Sequence, residues 1–310
     1  MGAPGEGDAA VSELRRVAQF GRDATGRLYR EWAGVRRRLG RLGSAQPALD
    51  VFGDVDRSDV AAWNQITAER HDAYRQVIEP VSGSVVIICS SNRPQDMANV
   101  IASVGAQLHH DLEFVFVAHG DHWESGAATR ACAELEGALQ RVQVLHRPTS
   151  SSLGACLNAA MEASTARFVA KFDSDDRYGP NYLADALRAH RYSGAGVVGK
   201  HSIFGLLEGT DEYFLRFPAR EFDYTSSLAG STFVIDRDIV GDQRFVDLSI
   251  GEDQAFLRRC HLRGISTFAC DRFNYAVVRS GANTWKVTND DFTADSIMFG
   301  VEWNPSQIER

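Results

Sequence analysis

The sequence predicts an α/β protein with a central, mostly parallel sheet, and three observations predict it. From Ser84 to Phe172, short continuous apolar runs alternate with segments of helical periodicity. Within the runs, polar and apolar residues do not alternate, so the strands they form must be covered on both faces, as in parallel sheets flanked by helices. The last run, Arg167–Phe172, leads directly into Asp173-Ser174-Asp175-Asp176, and the carboxyl ends of such strands are where these sheets bind ligands.

The elements follow in chain order. Residues 1–10 are small and acidic, are expected to be disordered, and lack the apolar stretch of a signal peptide. Residues 11–42 read as an Arg-rich amphipathic helix, with Leu14, Val17, Phe20, Leu28, Trp32, Val35, Leu39 and Leu42 at helical spacing. Its basic face suits solvent or, alternatively, an anionic lipid surface or a partner. A linker with Gly43, Pro47 and Gly53 leads to a helix over 58–78 that stops before Pro80. The strand at 85–89 precedes a helix from 94 to 104 with Pro94 in its first turn. Strand 112–118, helix 125–139, strand 142–145, helix 153–163 and strand 167–172 complete the alternation. Beyond 194 we expect strands at 196–204, 212–217 and 231–235, a helix at 252–263, and a strand pair near 265–270 and 273–279.

Composition bounds the function. Of 310 residues, 44% are hydrophobic and 24% charged, the balance of a soluble globular protein. Residues 11–42 carry nine arginines against Glu13, Asp23 and Glu31, a local excess of +6, which leaves −14 on the rest of a chain whose net charge is −8. So acidic a body excludes a general nucleic-acid binder. Cys89, Cys132, Cys156, Cys260 and Cys270 have neither metal-ligand nor redox spacing; buried reduced thiols of a cytoplasmic protein are expected. No apolar run approaches the ~18 residues that span a bilayer.

Three carboxylates within the four positions 173–176 repel one another, and a hard divalent cation with oxygen ligands relieves that repulsion. A bound cation in turn suggests a phosphate-bearing substrate. The polar stretch Ser90-Ser91-Asn92-Arg93 ends the first strand, on the same rim as the acidic cluster. Each motif also has a structural reading. Asp175 or Asp176 would cap a helix starting near Pro180. Glu252-Asp253 would complement a helix dipole, Asn92-Arg93-Pro94 would be a plain turn, and Lys171 would be a counter-ion.

Four blocks taken together resemble the family 2 glycosyltransferases, which have the nucleotide-sugar-binding fold called GT-A. They are Ser84–Pro94, Ser152–Ala160, Val169–Asp176 with its Asp-x-Asp motif, and Gly251–Leu257 with its Glu-Asp motif. The resemblance covers residues 82–286 and implies inverting transfer of a sugar from a nucleoside diphosphate to an acceptor hydroxyl. Carried over by position, it implies that Ser90, Ser91, Arg93, His119, Asn158, Asp173, Ser174 and Gly230 surround the nucleotide sugar. It further implies that Asp175 holds Mn²⁺ or Mg²⁺ and that Asp253 is the general base with Glu252 beside it; where Asn283 departs from the family's His, Arg279 and Lys286 are the alternative means of sharing the diphosphate charge. The implied partners are the donor and a glycan, lipid-linked or small-molecule acceptor. Apart from the resemblance, the cysteines and the Arg-rich helix 11–42 lead us to expect a cytoplasmic location or a peripheral one at the inner face of the membrane. The implied organisation is a helical N-terminal extension (1–80), a catalytic domain (81–286) with a nucleotide-binding half (81–193) and an acceptor-binding half (194–286), and a C-terminal tail or lid (287–310).

The chemistry agrees with these roles. Departure of a nucleoside diphosphate builds charge on phosphate oxygens, which a divalent cation stabilises. A free Asp, with a pKa of about 3.9, is a weak base, but a carboxylate neighbour such as Glu252 raises it. Three positions depart from the family pattern: Ala118-His119 replaces the acidic pair that reads uracil, Leu157 replaces an Arg, and Asn283 stands where a metal-ligating His is common. The base is therefore left open. Two other classes compete: a sugar nucleotidyltransferase, which would need a Gly-rich phosphate loop where Ser90–Arg93 has no glycine, and a non-catalytic glycan- or nucleotide-binding module.

Overall fold

A computed structural model describes residues 60–280, 288–300 and 308–310. The Arg-rich segment 11–42, Asn283 and Lys286 lie outside the described residues. Among the described residues the strands run in chain order as β1 (Val85–Ser91), β2 (Leu112–His119), β3 (Arg141–Arg147), β4 (Phe168–Phe172), β5 (Arg177–Tyr178), β6 (Val197–Gly199), β7 (Ile203–Leu207), β8 (Glu212–Arg216), β9 (Asp223–Tyr224), β10 (Val234–Asp236), β11 (Thr267–Ala269), β12 (Tyr275–Arg279) and β13 (Ser296–Gly300). They form an eight-stranded sheet, β3-β2-β1-β4-β10-β6-β11-β9, and a five-stranded sheet, β13-β8-β7-β12-β5. β3, β2, β1 and β4 are mutually parallel, whereas β10 lies antiparallel between β4 and β6.

The apolar runs are continuous because each strand serves two cores. Val85, Ile87 and Cys89 pack into one, and Val86 and Ile88 into the other. Burial of each such side chain contributes about 1.5–3 kcal/mol. The helices Leu153–Glu162 and Glu252–Leu262 cover the second face through Cys156, Leu157, Ala160, Phe256 and Leu257. Leu157 is therefore a core residue, which accounts for an apolar side chain where the family pattern has Arg. The same alternation places Lys171, two residues after Val169, on the face covered by the helix that carries Glu252.

Several expectations are corrected. The helix expected over 125–139 is confined to Ala127–Cys132 plus one 3-10 turn, bounded by Gly126 and Gly137 in left-handed backbone (φ 73° and 88°). The run 196–204 divides into β6 and β7, which belong to different sheets, and the buried Lys200 between them donates to the Asp271 carbonyl (2.8 Å). The strand pair expected near 265–270 and 273–279 is not a hairpin. β11 and β12 also fall in different sheets, separated by a turn in which Phe273 N–H donates to Asp271 Oδ1 (2.7 Å) and Asn274 has φ 60°. Residues 230–232 form a 3-10 turn rather than the start of a strand. Asp176 caps no helix; Asn181 precedes the helix Tyr182–Ser193. β13 adds an edge strand against β8, and Ile308 is buried in the core of the smaller sheet. All five cysteines are buried and free, as expected. Among the described residues no helix is long and apolar enough to cross a membrane.

The helix Val60–Val77 docks through His71, which is buried with Nε2 3.1 Å from Asp185 Oδ2 and 3.8 Å from Asp271 Oδ1. Burial disfavours the imidazolium, but Asp271 and Asp185 outweigh it and raise the His71 pKa. The stability this supplies is complete below the unfolded value of about 6.5 and is lost as pH rises through the higher folded value. We expect urea unfolding to show stability falling as pH rises above about 6.5, with a shallower fall in His71→Gln; equal slopes in the two proteins would refute the assignment.

Candidate active site

The site is assembled at the carboxyl ends of β1, β2 and β4. The loop after β1 grips the acidic turn after β4. Ser91 Oγ lies 2.9 Å from Ser174 Oγ, and Ser174 Oγ donates to Asp96 Oδ2 (2.9 Å). Asn99 Nδ2 donates to the carbonyls of Ser174 and Asp176 (2.8 Å each). Arg93 donates from one guanidinium nitrogen to Asp175 Oδ2 (2.6 Å), and the same nitrogen is 3.6 Å from Asp96.

The three carboxylates of the turn have separate environments. Asp173 is paired with Lys171 (2.6 Å). Asp175 is half-buried against Arg93. Asp176 is buried, with Tyr275 donating to Oδ2 (2.6 Å) and Val278 N–H to Oδ1 (3.1 Å). Burial pushes the Asp176 pKa up, Asp175 and Asp173 add to it, and the two hydrogen bonds oppose it.

Lys171 is 2% exposed. Burial works against its ammonium, but Asp173, Glu252 and Asp253 outweigh it and raise its pKa. Glu252, buried at the first turn of its helix, has a pKa raised to about 7, chiefly by burial. Lys171 pulls it down, and Asp253 and Asp173 push it up. Asp253 lies against Gly230, where a Cβ would fall 1.9 Å from Asp253 Oδ2. Only glycine fits there.

The remaining predicted residues are placed as follows. Ser90 is half-buried at the end of β1. His119 ends β2 and donates from Nε2 to the Ser151 carbonyl (3.0 Å). A carbonyl only accepts, so Nε2 carries a proton, and in the Nε2–H tautomer Nδ1 is left as an acceptor. Asp121 is engaged with Thr149 through its backbone N–H (3.1 Å) and its Oδ2 (3.3 Å). Asn158 exchanges two 2.9 Å hydrogen bonds with the Phe245 backbone, and Gly154 N–H donates to Leu248 O (2.9 Å). Its helix thus fixes the loop leading to Glu252. Arg279 is buried at the end of β12 over the Phe292 ring (4.5 Å). Burial lowers its pKa while Asp175 opposes this.

Sequence reasoning missed Asp96, Asn99, Tyr178 and Tyr275. Tyr178 and Tyr275 become neighbours only through the β5–β12 pairing, which no short-range pattern encodes. Of the aromatic residues available to stack on a sugar, Phe204, Tyr213 and Phe214 are buried in the smaller sheet's cores.

The profile described as Glycosyl transferase family 2 matches residues 85–247, more than half of the chain. The chain belongs to glycosyl transferase family 2. It is a glycosyltransferase of that family with a GT-A fold. A crystal structure of Staphylococcus aureus TarS 1–349 with UDP-GlcNAc is similar to it at 19% identity and TM-score 0.51, over 68% of this chain and 64% of that one. A longer S. aureus TarS structure matches at 19% identity and TM-score 0.50, over 64% of this chain and 37% of that one. The mannosyltransferase PcManGT from Pyrobaculum calidifontis, solved with GDP-Man and Mn²⁺, matches at 17% identity and TM-score 0.49, over 72% and 66% of the two chains. The chain thus spans less than two thirds of the TarS structures. No curated protein matches it.

The family's usual metal would find only oxygen ligands here. Around Asp175, the carboxylates Asp96, Asp173, Asp176, Glu252 and Asp253 outnumber the described cations Arg93, Lys171 and Arg279. That donor set fits a hard divalent ion. His71, Asp185 and Asp271, whose ligand atoms do lie within coordinating reach of one another, do not need one. The two carboxylates of this group already face Arg75 (3.2 Å), Arg188 (3.0 Å) and Lys200 (3.2 Å), which marks it as a structural ion network.

Replacing Lys171 isolates its role. We expect Lys171→Met to raise the Glu252 pKa above about 7 by roughly one unit or more, because the nearest cation is gone. Carbon-detected NMR titration of the Glu252 carboxyl measures this; an unchanged or lower midpoint would disconnect the two groups.

Proposed function

We propose that this chain is a metal-dependent inverting glycosyltransferase that moves a sugar from a nucleoside diphosphate to an acceptor hydroxyl. The observation that carries the reading is the convergence of the Asp173–Asp176 turn and the Glu252–Asp253 pair on Lys171. It brings a donor-side and an acceptor-side carboxylate group to one strand end of a family 2 fold.

The half 81–193 takes the donor, and 194–286 shapes the acceptor side. Ser90, Ser91 and Arg93 border the nucleoside, and Asp173 lies toward the ribose. Ser174 holds the turn in place through Ser91 and Asp96. His119, with Nδ1 as acceptor, suits a base that carries a ring N–H, such as uracil or guanine. The UDP-GlcNAc bound to TarS has such a base. Asp175 would hold Mn²⁺ or Mg²⁺, which would offset charge on the departing diphosphate. Arg279 and Lys286 share that task. Asp253, placed by Gly230, accepts the proton of the acceptor hydroxyl while its oxygen bonds to the anomeric carbon. The carbon–phosphate-oxygen bond breaks, and its electron pair leaves with the nucleoside diphosphate. Attack from the face opposite the leaving group inverts the anomeric centre. Glu252, once ionised, adds negative charge beside the carboxylate that takes the proton. A glycan, a lipid-linked glycan or a small molecule each presents the required hydroxyl.

Calorimetry with UDP, GDP, ADP and CDP, with and without Mn²⁺, tests the donor reading. UDP or GDP is expected to bind more tightly with Mn²⁺, ADP and CDP weakly, and Asp175→Ala to lose the metal enhancement. Failure of every nucleotide to bind would sink the proposal. Asp253→Asn is expected to keep nucleotide binding and to lose about 10²–10⁴-fold in turnover.

The pH profile tests the pair. Below about 7 Glu252 is neutral, and above it the ionised group supports Asp253, so turnover should rise with pH through an inflection near that value. Glu252→Gln should remove the inflection. An inflection that persists in that variant belongs to another group.

A further inference from the structure

Tyr178 and Tyr275 sit opposite each other in the antiparallel pair of β5 and β12, with ring centroids 5.3 Å apart. Both are buried, at 4% and 1% exposure. Their rings have ordinary packing duties: Tyr178 stacks on Phe172 with centroids 3.7 Å apart and 4° between planes. A phenylalanine would serve equally well for that. The hydroxyls do something else. Tyr178 donates to the Ser231 carbonyl (2.8 Å) and accepts from Asp173 N–H (2.9 Å). Tyr275 donates to Asp176 Oδ2 (2.6 Å), and its oxygen lies 2.6 Å from Ser231 Oγ. Because the Tyr275 proton goes to the carboxylate, Ser231 donates to Tyr275.

The two phenols thus hold the two ends of the acidic turn, Asp173 and Asp176, with Asp175 between them. Both reach the same residue, Ser231. Ser231 is followed by Thr232, whose carbonyl accepts from Tyr182 (2.8 Å), and preceded by Gly230, against which Asp253 rests. An unbroken hydrogen-bonded path therefore joins the donor-side turn to the turn beneath the acceptor-side carboxylate. Each buried hydroxyl has its donor and its acceptor capacity filled by groups of these two turns.

We infer that Tyr178 and Tyr275 are positioning residues that fix the separation between Asp175 and Asp253, acting through Ser231. The inference rests on the glycosyl-transfer reading. Attack on the anomeric carbon requires the donor and the base to be held at one distance, and small displacements from such geometry cost orders of magnitude in rate.

The variants are Tyr178→Phe, Tyr275→Phe and Ser231→Ala, each of which keeps the packing shape. Hydrogen–deuterium exchange by mass spectrometry on the ligand-free protein gives the first readout. Ser231→Ala is expected to speed exchange in the peptide containing 173–176, and Tyr275→Phe to speed it there and in the peptide containing 229–233, while β1 is unaffected. Turnover with UDP-GlcNAc and GDP-mannose gives the second. With whichever donor the wild type uses, Tyr275→Phe should lower kcat by roughly 10- to 100-fold, with nucleoside diphosphate affinity held. Adding Ser231→Ala should lower it little further, since both lie on one path. A purely structural role would instead shift the urea midpoint and leave kcat alone, which overturns the inference. Wild-type exchange at 173–176 in Ser231→Ala overturns it as well. If the wild type binds no nucleotide and uses neither donor, the transfer reading fails by itself, and the exchange result still decides whether the two turns are linked. Should Tyr275→Phe not fold, Tyr178→Phe and Ser231→Ala carry both readouts.

Discussion

The ammonium of Lys171 stands at the end of β4 almost without solvent, and Asp173, Glu252 and Asp253 act on it together. An ammonium taken out of water alone costs several kcal/mol, and so does an unpaired carboxylate. The buried Lys171 and Glu252 offset each other's cost, while Asp173 pairs with Lys171 from a position 40% exposed. The requirement reaches backward into the sequence. Strand alternation must put Lys171 on the face of Val169, and the helix Glu252–Leu262 must cover that face with its first turn at the strand end. It also reaches forward into the chemistry, because the two acids of the Glu-Asp pair repel each other and only a nearby cation moderates that repulsion.

Around this centre, backbone placement is done by neutral hydrogen bonds rather than by charge. Asn99 holds two carbonyls of the acidic turn, and Asn158 holds the backbone of Phe245 ahead of Glu252. These contacts fix loops without adding charge to a region already crowded with carboxylates. The Asn of the helix Leu153–Glu162, grouped with the nucleotide by resemblance, therefore acts on the loop that carries the acid pair.

Much of the fold was legible because its signals are local. The apolar runs of β1, β2 and β4 and the periodicity of the helix Leu153–Glu162 each lie within a few residues, and the structure contains each of them. The acidic turn and the Glu-Asp pair were legible for the same reason. What escaped depends on distant chain. Whether residues 196–204 make one strand or two is decided by Asp271, to which Lys200 is bound. β11 and β12 read alike in sequence, yet they enter different sheets because the Asp271–Asn274 turn redirects the chain. Tyr275 carries no mark of its contact with Asp176, 99 positions away in sequence.

Among the described residues one group, His71, Asp185 and Asp271, has ligand atoms within coordinating reach of one another, while carboxylates also crowd the turn around Asp175, and charge balance separates the two. Asp185 and Asp271 face Arg75, Arg188 and Lys200. Adding a divalent ion would place positive charge where it is already in excess, at a fully buried point where repulsion is strongest. Around Asp175 the described cations are fewer than the carboxylates, and Arg93 occupies one oxygen of Asp175 itself. That region sits at a strand end rather than within a core, and its described residues carry more negative than positive charge. A fold tolerates such an imbalance where a ligand corrects it. A diphosphate alone would deepen the deficit, whereas a divalent ion arriving with it leaves the net charge nearly unchanged. Under the proposed function, this favours donor and cation binding as one unit, with Arg93 compensating Asp175 in the free protein.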